Sequence, residues 1–185
     1  RSSDLSKTIL RVLASDVPSL GYKVFEIRNG LDSVNTDAAT VSGTTFENAF
    51  YKVTLAADGA ITSLVDKTRG NRETVRAIDG KVLNDLGGDR TGLVTVENAG
   101  PVSVTLMASS TSPVKHITRV TLYRDINRVD IANEITENFG DIKTWSYSFD
   151  LNAPDVWHEE VGAVIRGKLT TSGGHYYPRN ARYDW

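Results

Sequence analysis

The chain has 185 residues, enough for one domain with a substantial core. Its formal charge of −2 gives no electrostatic drive toward nucleic acid or an anionic membrane. It has no cysteine, which excludes disulfides and thiolate metal sites and fits the cytoplasm, and no apolar run approaches the ~20 residues that span a bilayer.

In chain order, residues 5–13 satisfy two periods. Leu5, Ile9, Val12 and Leu13 mark a helical face, while residues 9–13 also read as a short strand. Residues 22–27 read as a strand after Pro18 and Gly21, and residues 29–43 as a polar surface connection with room for one short strand. Tyr51, Val53 and Leu55 then alternate with Lys52 and Thr54, Asp58-Gly59 supplies a turn that needs positive φ, and residues 61–65 return. Ile61 and Leu64 fall out of strict alternation, which predicts a bulge. Residues 68–92 are charged and glycine-punctuated and read as a loop excursion, with Gly87-Gly88 as a turn. Strand alternation resumes at residues 93–96 and 102–106 around Asn98-Ala99-Gly100-Pro101. It continues through Val120 and Leu122 to a turn at Asp125-Ile126-Asn127. Val129, Ile131 and Ile135 oppose Arg128, Asp130 and Glu134. Finally Trp145, Tyr147, Phe149 and Leu151 oppose Thr144, Ser146, Ser148 and Asp150, a pattern that puts Trp145 and Tyr147 in the core. Many short strands with polar turns and no convincing long helix predict an all-β fold, a large antiparallel β-sandwich, as one domain over residues 1–185.

The hairpin also carries a resemblance. Glu47, Asn48, Phe50, Tyr51, Asp58, Gly59, Ile61, Ser63, Leu64, Asp66 and Lys67 match the pattern E-N-x-aromatic, D-G turn, I-x-S-L-x-D-K. That pattern opens the all-β C-terminal region of glycoside hydrolase family 38, the α-mannosidases. Upstream, Val17-Pro18-Ser19-Leu20-Gly21-Tyr22-Lys23 is similar to the family's V-P-x-L-G-Y strand entry, and a looser match runs over residues 117–151. The family's W-D-A-W-D excursion has no counterpart near residues 84–89, which leaves subgroup and linkage open. The resemblance implies a galactose mutarotase-like supersandwich, here an incomplete portion cut from a longer chain. The implied parent is a retaining hydrolase of α-mannosides, with zinc and an aspartate nucleophile on an N-terminal barrel. No catalytic residue, metal ligand or cofactor of that barrel maps onto this sequence. The implied partners are an α-mannoside-type glycan and the catalytic barrel of the same chain.

The residues themselves carry little hydrolytic chemistry. Glycosidases place two carboxyl groups across one bond, but Glu159-Glu160 on a strand would face opposite ways. His116, His158 and His175 lack metal-ligand spacing and read as surface or turn residues. Saccharide recognition combines aromatic faces with planar hydrogen-bonding groups, and the C-terminal third is rich in both. Trp157, His158, Glu159, Arg166, Tyr176, Tyr177 and Arg179 are the candidate carbohydrate-binding residues. Two other classes fit the same sequence: a non-catalytic carbohydrate-binding or structural module, and a mutarotase-like epimerase using a histidine and a glutamate as acid and base.

Overall fold

A computed structural model describes residues 10–26, 36–152, 154–160 and 162–166. The chain divides into two compact units, Arg1–Asp150 and Leu151–Trp185. In the first unit lie β1 (Thr40–Ser42), β2 (Thr45–Glu47), β3 (Tyr51–Leu55), β4 (Ile61–Asp66), a 3₁₀ turn at Lys67–Arg69, β5 (Arg72–Glu73) and β6 (Leu83–Asp85). They are followed by β7 (Leu93–Asn98), β8 (Ser103–Ser110), β9 (His116–Tyr123), β10 (Val129–Ile135) and β11 (Ser146–Tyr147). The second unit contributes β12 (Trp157–Glu160) and β13 (Ala163–Arg166), paired as an antiparallel hairpin.

Two antiparallel sheets form the first unit. One runs β1-β2-β3-β4-β6-β11, with β5 alongside β4; the other runs β10-β9-β8-β7. Their inner faces share one apolar core. Phe46, Val53, Leu55, Ile61 and Leu83 of the first sheet pack with Val104, Leu106, Val120 and Leu122 of the second, all 2 % exposed or less. This is the antiparallel sandwich that the strand periodicity predicts. Burying such side chains stabilises by roughly 1.5–3 kcal/mol each before chain entropy is charged against it.

The predicted hairpin forms with its expected arms, since β3 pairs β4 from Tyr51↔Asp66 to Leu55↔Ile61. The register slips where Thr54 meets Ser63, which leaves Thr62 as the extra residue and accounts for the broken alternation of Ile61 and Leu64. Gly59 adopts φ +89, and a Cβ there would lie 2.6 Å from Thr118 Cβ and 3.0 Å from Ala108 Cβ. Glycine is therefore required twice over, by the turn and by the closeness of the second sheet.

Four expectations fail. Residues 10–15 and 21–26 carry no strand, and Tyr22 and Val24 are largely exposed; the nearby bonds are a turn from Gly21 N to Pro18 O and a Lys23 Nζ bond to Ser15 O. The supposed excursion at 68–92 contains β6, whose three residues are all buried. The segment at 144–151 is inverted from Tyr147 onward: Ser148 is buried while Tyr147 is 52 % and Phe149 41 % exposed, whereas Trp145 is half-buried, edge-on to the His116 ring. It pairs only briefly with β6, at a register irregularity, and the Tyr147 hydroxyl donates to Asn84 Oδ1 at 3.1 Å. His116, read as a surface or turn residue, is 2 % exposed on the inner face of β9.

Polar groups also join the sheets. Asn84 on β6 and Asn133 on β10 exchange two amide hydrogen bonds, Nδ2 to Oδ1 at 3.1 Å and 2.6 Å, and Thr118 donates to Asn133 Oδ1 at 2.8 Å. Asn84 holds φ 55, a left-handed backbone that asparagine tolerates better than most residues.

Candidate functional site

The polar residues that carry the hairpin resemblance are occupied in holding the fold. Asn48 accepts from Phe50 N and Tyr51 N and donates to Tyr123 O, which ties the entry of β3 to β9. Lys67 Nζ donates to Glu47 Oε1 at 2.7 Å and to Asn48 O at 2.8 Å. The hydrogen bond and charge of Lys67 outweigh partial burial and hold the Glu47 carboxyl below its ordinary range. Asp66 accepts from Thr68 N and its hydroxyl, capping the 3₁₀ turn.

At the hairpin tip, Asp58 accepts from Ala60 N through one oxygen and from Arg90 through the other, at 2.9 Å. Arg90 also reaches Asp85 Oδ2 at 2.5 Å, while Asp85 accepts from Val82 N and Gly87 N. Burial alone would raise the Asp85 pKa, but Arg90 and the two backbone donors outweigh it and leave the group below the usual carboxylate range. His116 Nδ1 lies 2.7 Å from Val114 O and Nε2 3.0 Å from Asp58 O. Both ring nitrogens sit against backbone carbonyls on the buried face of β9. Two buried carboxylates, the Arg90 guanidinium and the Lys81 ammonium, 3.9 Å from Asp85 Oδ1, thus form a structural cluster with the His116 ring against the Asp58 carbonyl.

The outer face of the second sheet is different. Strand alternation places Ser103 and Thr105 of β8 and Thr121 and Tyr123 of β9 on this face. The segment at residues 10–13 crosses it, and Arg11 Nη1 donates to Ser103 Oγ at 2.8 Å and to Thr105 Oγ1 at 3.4 Å. The crossing leaves Ser103 and Thr105 only 1 % and 2 % exposed. Arg11 lines two open cavities, one of about 570 Å³ with Asn98 and Ser103, the other of about 500 Å³ with Thr121, Tyr123 and Arg128. Both volumes lie in the range of small-molecule sites.

Hydrogen bonds orient the groups around the second cavity. Thr105 and Thr121 share a hydroxyl bond at 2.8 Å, and Tyr123 donates to Asp130 Oδ2 at 2.5 Å. Arg128 pairs with Asp130 at 2.7 Å and lies 5.2 Å from the Tyr123 ring centroid. Partial burial first, and then the bond to Asp130, push the Tyr123 phenol above its ordinary pKa, so it remains a neutral donor. An aromatic ring among planar donors and hydroxyls suits a polyhydroxylated ligand with an apolar face.

The described residues among those proposed from sequence belong to the second unit. Trp157, His158 and Glu159 are on β12 and Arg166 is on β13, where the register sets Trp157 opposite Arg166 and Glu159 opposite Val164. Trp157 is 56 % exposed, and Glu159 Oε1 accepts from Gly162 N at 3.1 Å across the turn. Glu159 and Glu160 are consecutive in this strand. Tyr176, Tyr177 and Arg179 lie outside the described residues. The sequence reading missed Arg11, Thr105, Thr121 and Tyr123. The alternation of Arg119 and Thr121 with Val120 and Leu122 marked a wet face, but nothing local marks Arg11 as its neighbour. Among the described residues, no helix is long and apolar enough to cross a membrane and no three His, Asp or Glu side chains converge as a metal site would need. No family model, curated protein or solved structure matches the chain.

Proposed function

We propose that this chain is the C-terminal β-sandwich portion of an α-mannosidase-like glycoside hydrolase, a part that binds saccharide and supports a catalytic barrel without itself carrying the hydrolytic groups. The observation that carries the saccharide reading is the outer face of the second sheet, where Tyr123, Asn98, Arg11, Thr121 and Arg128 line adjoining open cavities. The mannosidase assignment rests on the hairpin fingerprint. Its polar members each have a task in the sandwich, so a chain with the same fold would keep them whatever its catalytic groups do elsewhere. This makes the motif a marker of architecture, with chemistry supplied by another part of the parent.

The test is an array of mannose-terminated glycans together with turnover of p-nitrophenyl α-mannoside, with and without zinc. Glycan binding without nitrophenol release is expected. Zinc-dependent release that survives further purification and disappears on replacing His158 or Glu159 would show that the sandwich itself is catalytic. Mutarotation of freshly dissolved glucose or galactose, followed by optical rotation, would instead establish the epimerase alternative.

A further inference from the structure

We infer that the cavity of about 500 Å³ on the outer face of the second sheet is a subsite for a carboxylate-bearing sugar, a uronic-acid residue. The inference rests on the saccharide reading above and specifies its ligand. Among the described residues, the charged groups lining this cavity are Arg11 and Arg128, and neither aspartate nor glutamate lines it. Asp130 pairs with Arg128, so the excess of positive charge along the lining comes from Arg11.

The two guanidinium groups are held differently. Arg128 is answered by Asp130 and fixed beside the Tyr123 ring, so its charge is largely balanced. Among the described residues the partners of Arg11 are hydroxyls: its two bonds leave from Nη1, to Ser103 and Thr105, and no ion pair involves it. A guanidinium presents a planar fork that matches a carboxylate with two parallel bonds, and hydroxyl acceptors leave its positive charge uncompensated.

The rest of the lining favours a sugar acid over a bare anion. Leu13, Val102 and Ile126 supply apolar surface for the C–H face of a pyranose, and Thr121 offers a hydroxyl to a ring hydroxyl. The ligand so described is amphipathic, with a carboxylate at one end and an apolar flank.

The experiment is calorimetric titration of the whole chain with methyl glucuronide, methyl glucoside and acetate, at low and high salt. Glucuronide should bind at least about tenfold more tightly than either of the others and weaken as salt rises. Arg11→Gln should lose about tenfold in glucuronide affinity, Arg11→Lys should recover part of it, and Arg128→Gln should lose less. Lys52→Gln, on the exposed side of β3, serves as the unchanged control. Circular dichroism melts of each variant separate lost binding from lost folding, and the Arg128 variant keeps the test intact if Arg11→Gln melts early. Equal affinity for glucuronide and glucoside, unaffected by Arg11→Gln, would overturn the acid-sugar inference and leave the saccharide reading standing. Acetate binding as tightly as glucuronide would overturn the ligand class and weaken the saccharide reading. Failure of all three ligands to bind would overturn the inference, and the glycan array would then decide the saccharide reading separately.

Discussion

The hairpin seam and the outer face of the second sheet gather similar groups, arginine with hydroxyls and carboxylates, and use them in opposite ways. In the seam, Arg90 joins Asp58 and Asp85, whose side chains are 3 % and 0 % exposed. On the outer face, Arg11 is exposed and bonded to neutral hydroxyls. A buried charge must be matched inside the fold, because desolvation costs several kcal/mol that only nearby partners offset. An exposed one is under no such demand and stays available to a ligand. Chemical similarity therefore says less about function than whether each group's bonding capacity has been used.

Breaking the seam should have the largest effect. Asp85→Ala strands Val82 N and Gly87 N and removes one of two partners of Arg90, so about 3 kcal/mol should be lost, read as a lower urea midpoint. A loss under about 1 kcal/mol would mean that water replaces the carboxylate and that the seam is not closed. Gly59→Val should cost about 2 kcal/mol, from the strained left-handed backbone and the contact with Thr118.

Acid should act on the same cluster. The Asp85 pKa is depressed in the fold, so its stabilisation is present above the unfolded value and lost as pH falls through the folded one. The wild-type chain should weaken below about pH 4, and Asp85→Ala should show a shallower acid limb. The smallest expected change is Arg11→Gln, whose melting should stay within about 0.5 kcal/mol of wild type. A large drop would erase the distinction between the two regions by making Arg11 a structural residue too.

The sequence made the hairpin legible because its determinants are local. Alternation, the Asp58-Gly59 turn and the bulge all lie within residues 51–65, and turn chemistry fixes register. It hid β6, since Asn84 and Asp85 look like loop residues until Asn133 and Tyr147 arrive from distant parts of the chain and Arg90 turns back from five residues on. At residues 144–151, alternation marked two faces and put the aromatic one inside, which holds in part for Trp145 and fails for Tyr147 and Phe149. Edge pairing and the bond from Tyr147 to Asn84 decided it against those two aromatics. The Arg11 contact joins residues 92 positions apart, beyond the reach of any periodicity argument.

The paired amides of Asn84 and Asn133 carry a consequence for substitution. Each side chain supplies both a donor and an acceptor to the other, so aspartate at either position would turn one bond into a clash of oxygens, and leucine at 133 would leave the buried Asn84 amide N–H without its partner. The left-handed backbone at residue 84 narrows the choice there further. Substitution at the two sites should therefore be coupled: replacing one amide alone is expected to leave a chain less stable than wild type, and a double-mutant cycle would read the coupling.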